Sequence, residues 1–267
     1  METYILKIGG SSVTEKDSNK IKAKLESIER IAEEIRKAKS QKEFRLIVVH
    51  GAGPFGHRLV TNYKIKNAVR SGKDVEGFVR THNSMEDLNK IFMDVFREQG
   101  LLGFPIQPSA CIIQEDKKIV KFDTEIIERL IQTGSGITPI LYGDMVIDRK
   151  LGASVVSGDA IVPYLAKKLN VSRVFMGTDV DGIFTADPKR DKDAKLVEKI
   201  DKTNFNEILK SAGEAATVDV TGGMRGKLLR LRDTLKGVDT IIFNITKEGN
   251  AYKVLVGQKI RCTEIKL

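Results

Sequence analysis

Arg45-Leu46-Ile47-Val48-Val49-His50-Gly51-Ala52-Gly53-Pro54-Phe55-Gly56-His57 is the stretch that decides the fold. Its first half is a continuous apolar run rich in β-branched residues, which predicts a strand covered on both faces, as in the parallel sheet of an α/β protein. Its second half breaks that run with glycines, as a chain does where a strand passes into a ligand-facing loop. The same grammar recurs in both directions. Tyr4 to Ile8 runs into Gly9-Gly10-Ser11-Ser12, Ile137 to Tyr142 into Gly143-Asp144, and Arg173 to Met176 into Gly177-Thr178-Asp179-Val180-Asp181-Gly182. Thr240 to Phe243 predicts one more strand.

Helical periodicity fills the intervals. Leu25, Ile28, Ile31, Ala32 and Ile35 share one face at the 3.6 period, as do Met85, Leu88, Ile91, Phe92, Val95 and Phe96. Further helices are expected from Ser157-Gly158-Asp159 to Leu169, near Asn204 to Ser211, and from Gly223 to Lys236. Two hairpins are predicted, one joining Ile112–Gln114 to Ile119–Phe122, the other Met145–Ile147 to Ser154–Val156. Thr61 to Lys73 is polar and irregular, and predicts a loop or lid. The alternation of elements specifies an α/β fold with an open, mainly parallel central sheet and helices on both faces, a three-layer sandwich. With no repeat or linker, residues 1–267 form a single domain, with a soft boundary near Asp179.

Composition bounds the function. The 267 residues carry 45 lysines and arginines against 36 acids, a net charge of +9. The cations sit beside acids along the whole chain rather than in a stripe interleaved with aromatics, which argues against a nucleic-acid partner and suits anionic small molecules. Cys111 and Cys262 stand far apart without a Cys/His cluster, so neither a disulfide framework nor a structural zinc site is expected. The N-terminal stretch lacks signal-peptide regions and no apolar run reaches membrane-spanning length, which predicts a cytoplasmic protein with no membrane partner.

Two motifs mislead if read alone. Gly51-Ala52-Gly53-Pro54-Phe55-Gly56 fits a dinucleotide-binding GxGxxG, but the acid sought about twenty residues on has only Asp74, in an irregular region. Gly222-Gly223-Met224-Arg225-Gly226-Lys227-Leu228 is one residue short of a P-loop and has Leu where Ser or Thr would bind magnesium. A glycine turn with a lysine at a helix start can still cradle phosphate by the same physics.

Among single residues, Lys7 closes a strand before Gly-Gly-Ser and is a candidate phosphoryl contact. Lys16 lies in an exposed-looking turn, where residues alone leave function and surface equally open. Asp159 is a candidate helix N-cap. His82 is expected at the surface and His50 as a buried structural imidazole, whereas His57 follows a glycine and should face the same ligand space as Gly53.

Lys7-Ile8-Gly9-Gly10-Ser11, His50-Gly51-Ala52-Gly53, Ser157-Gly158-Asp159, Thr178-Asp179-Val180-Asp181-Gly182 and Thr221-Gly222-Gly223-Met224 with Lys227 occur in an order that resembles the amino-acid-kinase superfamily from residue 3 nearly to the C-terminus. His50 through His57, with Gln107-Pro108-Ser109 and Gly143-Asp144-Met145-Val146-Ile147-Asp148, resembles the branch that phosphorylates prenyl monophosphates. One departure is Pro54, where that branch often carries a small polar residue. The resemblance implies the amino-acid-kinase fold, an acceptor lobe over 1–178, an ATP lobe over 179–267, a homodimer, and ATP with Mg2+. It implies transfer of the γ-phosphoryl group to isopentenyl phosphate, with Lys7, Lys16 and Lys227 on the transferring group, Asp159 orienting the lysines, and His57 on the acceptor phosphate. Gly9, Gly10, Ser11, Gly53, Thr178, Asp179, Asp181, Gly182, Gly223 and Lys227 would contact ATP, and Ala52, Gly53 and Gly158 the acceptor. No protein ligand set for a metal is implied. The sequence offers no obvious general base, which suits a phosphate or carboxylate acceptor already anionic at neutral pH. A same-fold kinase for phosphonates, carboxylates or carbamate stays open, as does a non-catalytic nucleotide sensor.

Overall fold

The apolar runs pack as their patterning requires, each buried on both faces of one sheet. The computed structural model describes residues 1–15, 21–65, 68–133, 136–186, 188, 191–214, 235 and 237–267, except the side chains of 211–214. Strands β1 (Thr3–Ile8), β2 (Arg45–His50), β3 (Gly103–Pro105), β6 (Thr138–Tyr142), β9 (Arg173–Thr178) and β13 (Thr240–Asn244) are mutually parallel in the order β13-β9-β1-β2-β6-β3. Beyond β13 the sheet continues with β14 (Cys262–Lys266), antiparallel to it, and then β12 (Lys199–Asp201). The sheet thus runs unbroken through strands from both sides of residue 178.

Alternate residues of the central strands serve opposite layers. Tyr4, Leu6 and Ile8 of β1 face helices α2 (Leu25–Gln41), α4 (Gly72–Glu98) and α9 (Asn250–Val256) in one core. Ile5, Ile47, Leu141 and Val174 face α6 (Glu125–Gln132) and α7 (Gly158–Lys168) in the other. Helix α4 is longer than its apolar stripe implies, because Ser71 and Asp74 close a reciprocal capping box at its start. Asp74 is therefore a capping residue. The predicted Thr61–Lys73 loop is accordingly shorter: Thr61 and Asn62 end helix α3 (Pro54–Asn62), and Gly72 and Lys73 begin α4.

The two predicted hairpins form, but in a sheet of their own. Strands β4 (Ile112–Glu115), β5 (Lys118–Phe122), β7 (Asp144–Asp148) and β8 (Gly152–Val156) order as β5-β4-β7-β8. Asp148 joins both turns, accepting from the backbone N–H groups of Asp116, Lys117, Lys150 and Leu151 and from the Ser154 hydroxyl. Burial alone would raise its carboxyl, but these donors outweigh it and hold it well below the usual carboxylate range. A two-stranded ribbon, β10 (Ile183–Phe184) with β11 (Leu196–Val197), and helix α8 (Phe205–Glu214) complete the described elements with α1 (Gly10–Val13) and α5 (Pro108–Cys111). The helix expected from Gly223 to Lys236 lies outside the described residues, apart from Leu235, which is buried.

Two buried polar groups tie layers together. His50, fully buried at the end of β2, stacks on Phe92 at 4.2 Å and on Tyr142 at 5.5 Å, with Nε2 facing Asn89 Oδ1 at 3.2 Å. It is the structural imidazole expected, and burial pushes its pKa down to about 4. Glu34 of α2 caps α9 from outside. Its carboxylate accepts from the N–H groups of Gly249, Ala251 and Tyr252 at 2.9, 2.9 and 3.1 Å and pairs with Arg30 at 2.6 Å. A second Arg30 nitrogen donates to the Ile245 carbonyl at 2.7 Å.

Two stability predictions follow from these groups. Glu34→Ala leaves Arg30 and three backbone donors without their acceptor, and should cost about 3 kcal/mol in denaturant unfolding; Glu34→Gln, which still accepts, should cost about half as much. His50 has a folded pKa below its unfolded one, so the stability it contributes is present above about pH 6.5 and is lost as pH falls toward 4. Unfolding free energy should drop by up to about 3 kcal/mol more across that window in the wild type than in His50→Gln, which has no proton to gain.

Candidate active site

The carboxyl ends of β1, β2 and β9 open onto one cleft of about 740 Å3. Parallel strands put these ends on one edge, and the loops that leave them meet there. Their meeting depends on two glycines. A Cβ on Gly10 would lie 2.3 Å from the Gly53 nitrogen, and Gly53, with φ of 50°, has no room for one beside Thr14 Oγ1. The β1 and β2 loops therefore touch backbone to backbone, fastened by the Gly51 N–H on the Ile8 carbonyl at 2.8 Å. Gly9 ties the same edge to β9, donating to the Gly177 carbonyl at 2.9 Å.

Lys7, next to last in β1, borders the cleft and pairs with Asp159 Oδ1 at 2.8 Å. The lysine side chain is only 13% exposed and the aspartate 55%, so the pair lies at the cleft rim with its cation turned inward. Asp159 is not the N-cap: Ser157 occupies that position, and Asp159 sits in the first turn of α7. The reason lies in tertiary structure, since the β1 lysine across the cleft claims the carboxylate.

Two helices of the cleft wall begin at it. Gly53 precedes α3 and Ser157 precedes α7, and neither makes a side-chain cap hydrogen bond. Their first-turn N–H groups, with the positive dipole end, are matched to phosphate oxygens. His57 lies in the first turn of α3, exposed on the cleft wall and next to Arg58. The cleft also has an apolar lining, supplied by Val60, Met85, Val155 and Val156.

Most predicted site residues converge here. On the β1 side Lys7, Gly9, Gly10 and Ser11 border the cleft, and on the β2 side Ala52, Gly53 and His57. Gly158 and Asp159 close it from α7, Thr178 and Asp179 from β9. Asp181 and Gly182 stand back from it: Asp181 pairs with Lys247 at 2.6 Å and Arg261 at 3.4 Å, and Gly182 packs on Thr263. Both hold the loop after β9 to its neighbours. Lys16, Gly223 and Lys227 lie outside the described residues.

His82 is not the surface residue expected. It is 19% exposed, and its Nδ1 donates to Asp144 Oδ1 at 3.0 Å. Asp144 borders the cleft, yet its carboxylate has no exposed surface and also accepts from the N–H groups of Ser109 and Met145. Burial raises its pKa, while His82 and these N–H donors pull the other way. Other residues that sequence reasoning passed over are Arg58, Thr61, Val155 and Val156. Only their placement on α3 and β8 brings them to the cleft, and no local pattern announces it.

Known proteins agree with this geometry. The family model described as the amino acid kinase family matches residues 2–244. A protein of Methanothermobacter thermautotrophicus named isopentenyl phosphate kinase is 37% identical, covering 98% of both chains. One of the same name from Methanocaldococcus jannaschii is also 37% identical, over 98% of this chain and 97% of the relative. A solved structure titled as an X-ray structure of isopentenyl phosphate kinase superposes with a TM-score of 0.81 at 33% identity, covering 98% of this chain and all of the other. Sequence and fold are therefore those of one lineage, and the chain belongs to the amino acid kinase family, in its isopentenyl phosphate kinase branch.

Proposed function

We propose that the protein transfers the γ-phosphoryl group of ATP to isopentenyl phosphate, giving isopentenyl diphosphate and ADP. The observation that carries this reading is one cleft lined both by a Lys7–Asp159 pair, two helix N-termini and His57 and by the apolar residues Val60, Met85, Val155 and Val156. A prenyl monophosphate has both characters, one anionic end and one hydrocarbon end. Its phosphate has a second pKa of about 6, so the attacking oxygen is already charged at neutral pH and no general base is needed.

The chain's own groups then have two tasks, alignment and charge neutralisation. His57 and the α3 N-terminus hold the acceptor phosphate. Lys7 lies between the acceptor and the nucleotide loops and draws the transferring oxygens, while Asp159 keeps its ammonium aimed into the cleft. Lys16 and Lys227 complete the cationic set. Gly9, Gly10, Ser11, Thr178 and Asp179 receive ATP, with Asp181 and Gly182 shaping their loop, and the family order assigns Gly223 and Lys227 to ATP as well. Residues 1–178 would form the acceptor lobe while lending Gly9 to Ser11 and Thr178 to the nucleotide, and 179–267 the ATP lobe.

ATP fits this cleft because backbone amides and a lysine face it. Among the described residues no group of three or more His, Cys, Asp or Glu is placed to hold a metal ion, so Mg2+ is taken to arrive on the nucleotide phosphates. When bound, it neutralises β- and γ-phosphate charge. No helix among the described residues is long and apolar enough to cross a membrane. A cytoplasmic homodimer completes the proposal.

ADP release with Mg-ATP and a panel of isopentenyl phosphate, dimethylallyl phosphate, fosfomycin, carbamate and N-acetylglutamate tests it. The prenyl phosphates should turn over, and turnover confined to another acceptor would overturn the substrate assignment. Lys7→Ala should lower kcat at least 100-fold, the loss of about 3 kcal/mol of transition-state stabilisation. His57→Ala should lower kcat/KM for isopentenyl phosphate about 100-fold with the KM for ATP unchanged, and a matched change in both substrates would remove His57 from the acceptor side.

A further inference from the structure

Part of the cleft's lining comes from two separate elements. Thr81 and Met85 reach it from α4, and Val155 and Val156 from β8. Strand β8 is bonded in register to β7, with Asp144 opposite Val156 and Met145 opposite Val155. Phe78 of α4 packs on the buried Met145 and Ala153 of β7 and β8, and beside that apolar contact a polar one joins the two walls. His82, adjacent to Thr81, donates from Nδ1 to Asp144 at 3.0 Å, and Asp144 is the first residue of β7. The imidazole is itself oriented, since the Gln107 amide donates to Nε2 at 3.0 Å while also donating to Glu86 at 3.1 Å. Ser109, two residues after Gln107, anchors the same carboxylate through its N–H at 3.2 Å. The stretches Gln107-Pro108-Ser109 and Gly143-Asp144, distant in sequence, thereby meet on one histidine.

We propose that His82, Asp144 and Gln107 are positioning residues that keep these two walls in register, and so set affinity and size selection for the phosphorylated acceptor without acting on ATP. The proposal rests on the functional reading above, in that this part of the cleft is taken to receive the acceptor. A buried carboxylate with three converging donors has one low-energy geometry, because any shift of α4 leaves the charge short of a donor. Apolar contacts alone would let α4 slide by a fraction of an ångström at little cost, and an apolar pocket discriminates weakly per methylene. A fixed wall spacing converts that weak discrimination into a steric limit. None of these three residues touches the nucleotide loops at Gly9–Ser11 or Thr178–Asp179 in the hydrogen bonds they make.

The test is steady-state kinetics on the full chain with isopentenyl phosphate, geranyl phosphate and ATP as varied substrates. His82→Leu should raise the KM for isopentenyl phosphate about tenfold, equivalent to about 1.4 kcal/mol of acceptor binding lost as the wall shifts. It should also raise the kcat/KM of geranyl phosphate relative to isopentenyl phosphate, with the KM for ATP unchanged within twofold. His82→Asn places an amide N–H where Nδ1–H stood, and should restore both ratios. The proposal falls if His82→Leu behaves as wild type, if acceptor and ATP KM values rise together, or if the Asn variant matches the Leu variant. Should circular dichroism show His82→Leu to be unfolded, Gln107→Leu, at the half-exposed end of the network, must shift the same two ratios in the same direction or the proposal fails. If the wild type phosphorylates no prenyl monophosphate, it is the substrate assignment that fails; the KM split between acceptor and ATP is then read on whichever acceptor the wild type uses.

Discussion

The contact of Gly10 with Gly53, backbone against backbone, is the constraint from which the cleft follows. Neighbouring parallel strands lie close together, and their exit loops would collide if each carried side chains at the crossing point. Removing Cβ at both positions lets the β1 and β2 loops interlock, and the Gly51–Ile8 hydrogen bond then holds them. Once fastened, the loops fix where α3 starts, and hence where His57 stands. They also fix where β1 ends, and so the direction of Lys7. The glycines that invite a phosphate-binding reading are thus first a packing device, and the Gly9 and Gly51 amides are spent on it.

Charge is arranged around the same edge. A surplus of cations over the whole chain favours anionic ligands in general but selects no place for them. Selection comes from a few groups that tertiary structure turns inward. Lys7 points into the cleft with one carboxylate at its side, and the helix starts at α3 and α7 add fixed dipoles. Acids near the cleft are balanced locally: Asp144 by His82 and two backbone donors, Asp181 by Lys247 and Arg261. Anionic substrates therefore meet a field whose negative contributions are already neutralised.

The central strands and the two long helices were legible because burial on both faces, or along one stripe, demands a pattern that few other arrangements tolerate. The C-terminal elements were not. Helix α9 has seven residues and takes its acidic cap from Glu34, more than two hundred positions earlier, so nothing local marks its start. Strand β14 alternates buried and exposed residues and carries Glu264 and Lys266 outward, and so reads as a polar tail. His82 escaped for a related reason. It stands one position beyond the buried Thr81 in α4, at the stripe's edge, where periodicity is silent, and its partner is 62 residues away.

Local chemistry was enough to specify the α/β class, the strand-end loops and the residues able to meet a phosphate, because those features are set by hydrophobic periodicity and by glycine's missing side chain, both read along the chain. Tertiary structure alone decided that Asp159 pairs with Lys7 rather than capping its own helix, that Asp181 pairs with Lys247 and Arg261, and that His82 closes on Asp144. Each is a choice among partners remote in sequence. The energy of such a pair depends on distance and burial, quantities that come into existence only when the layers pack.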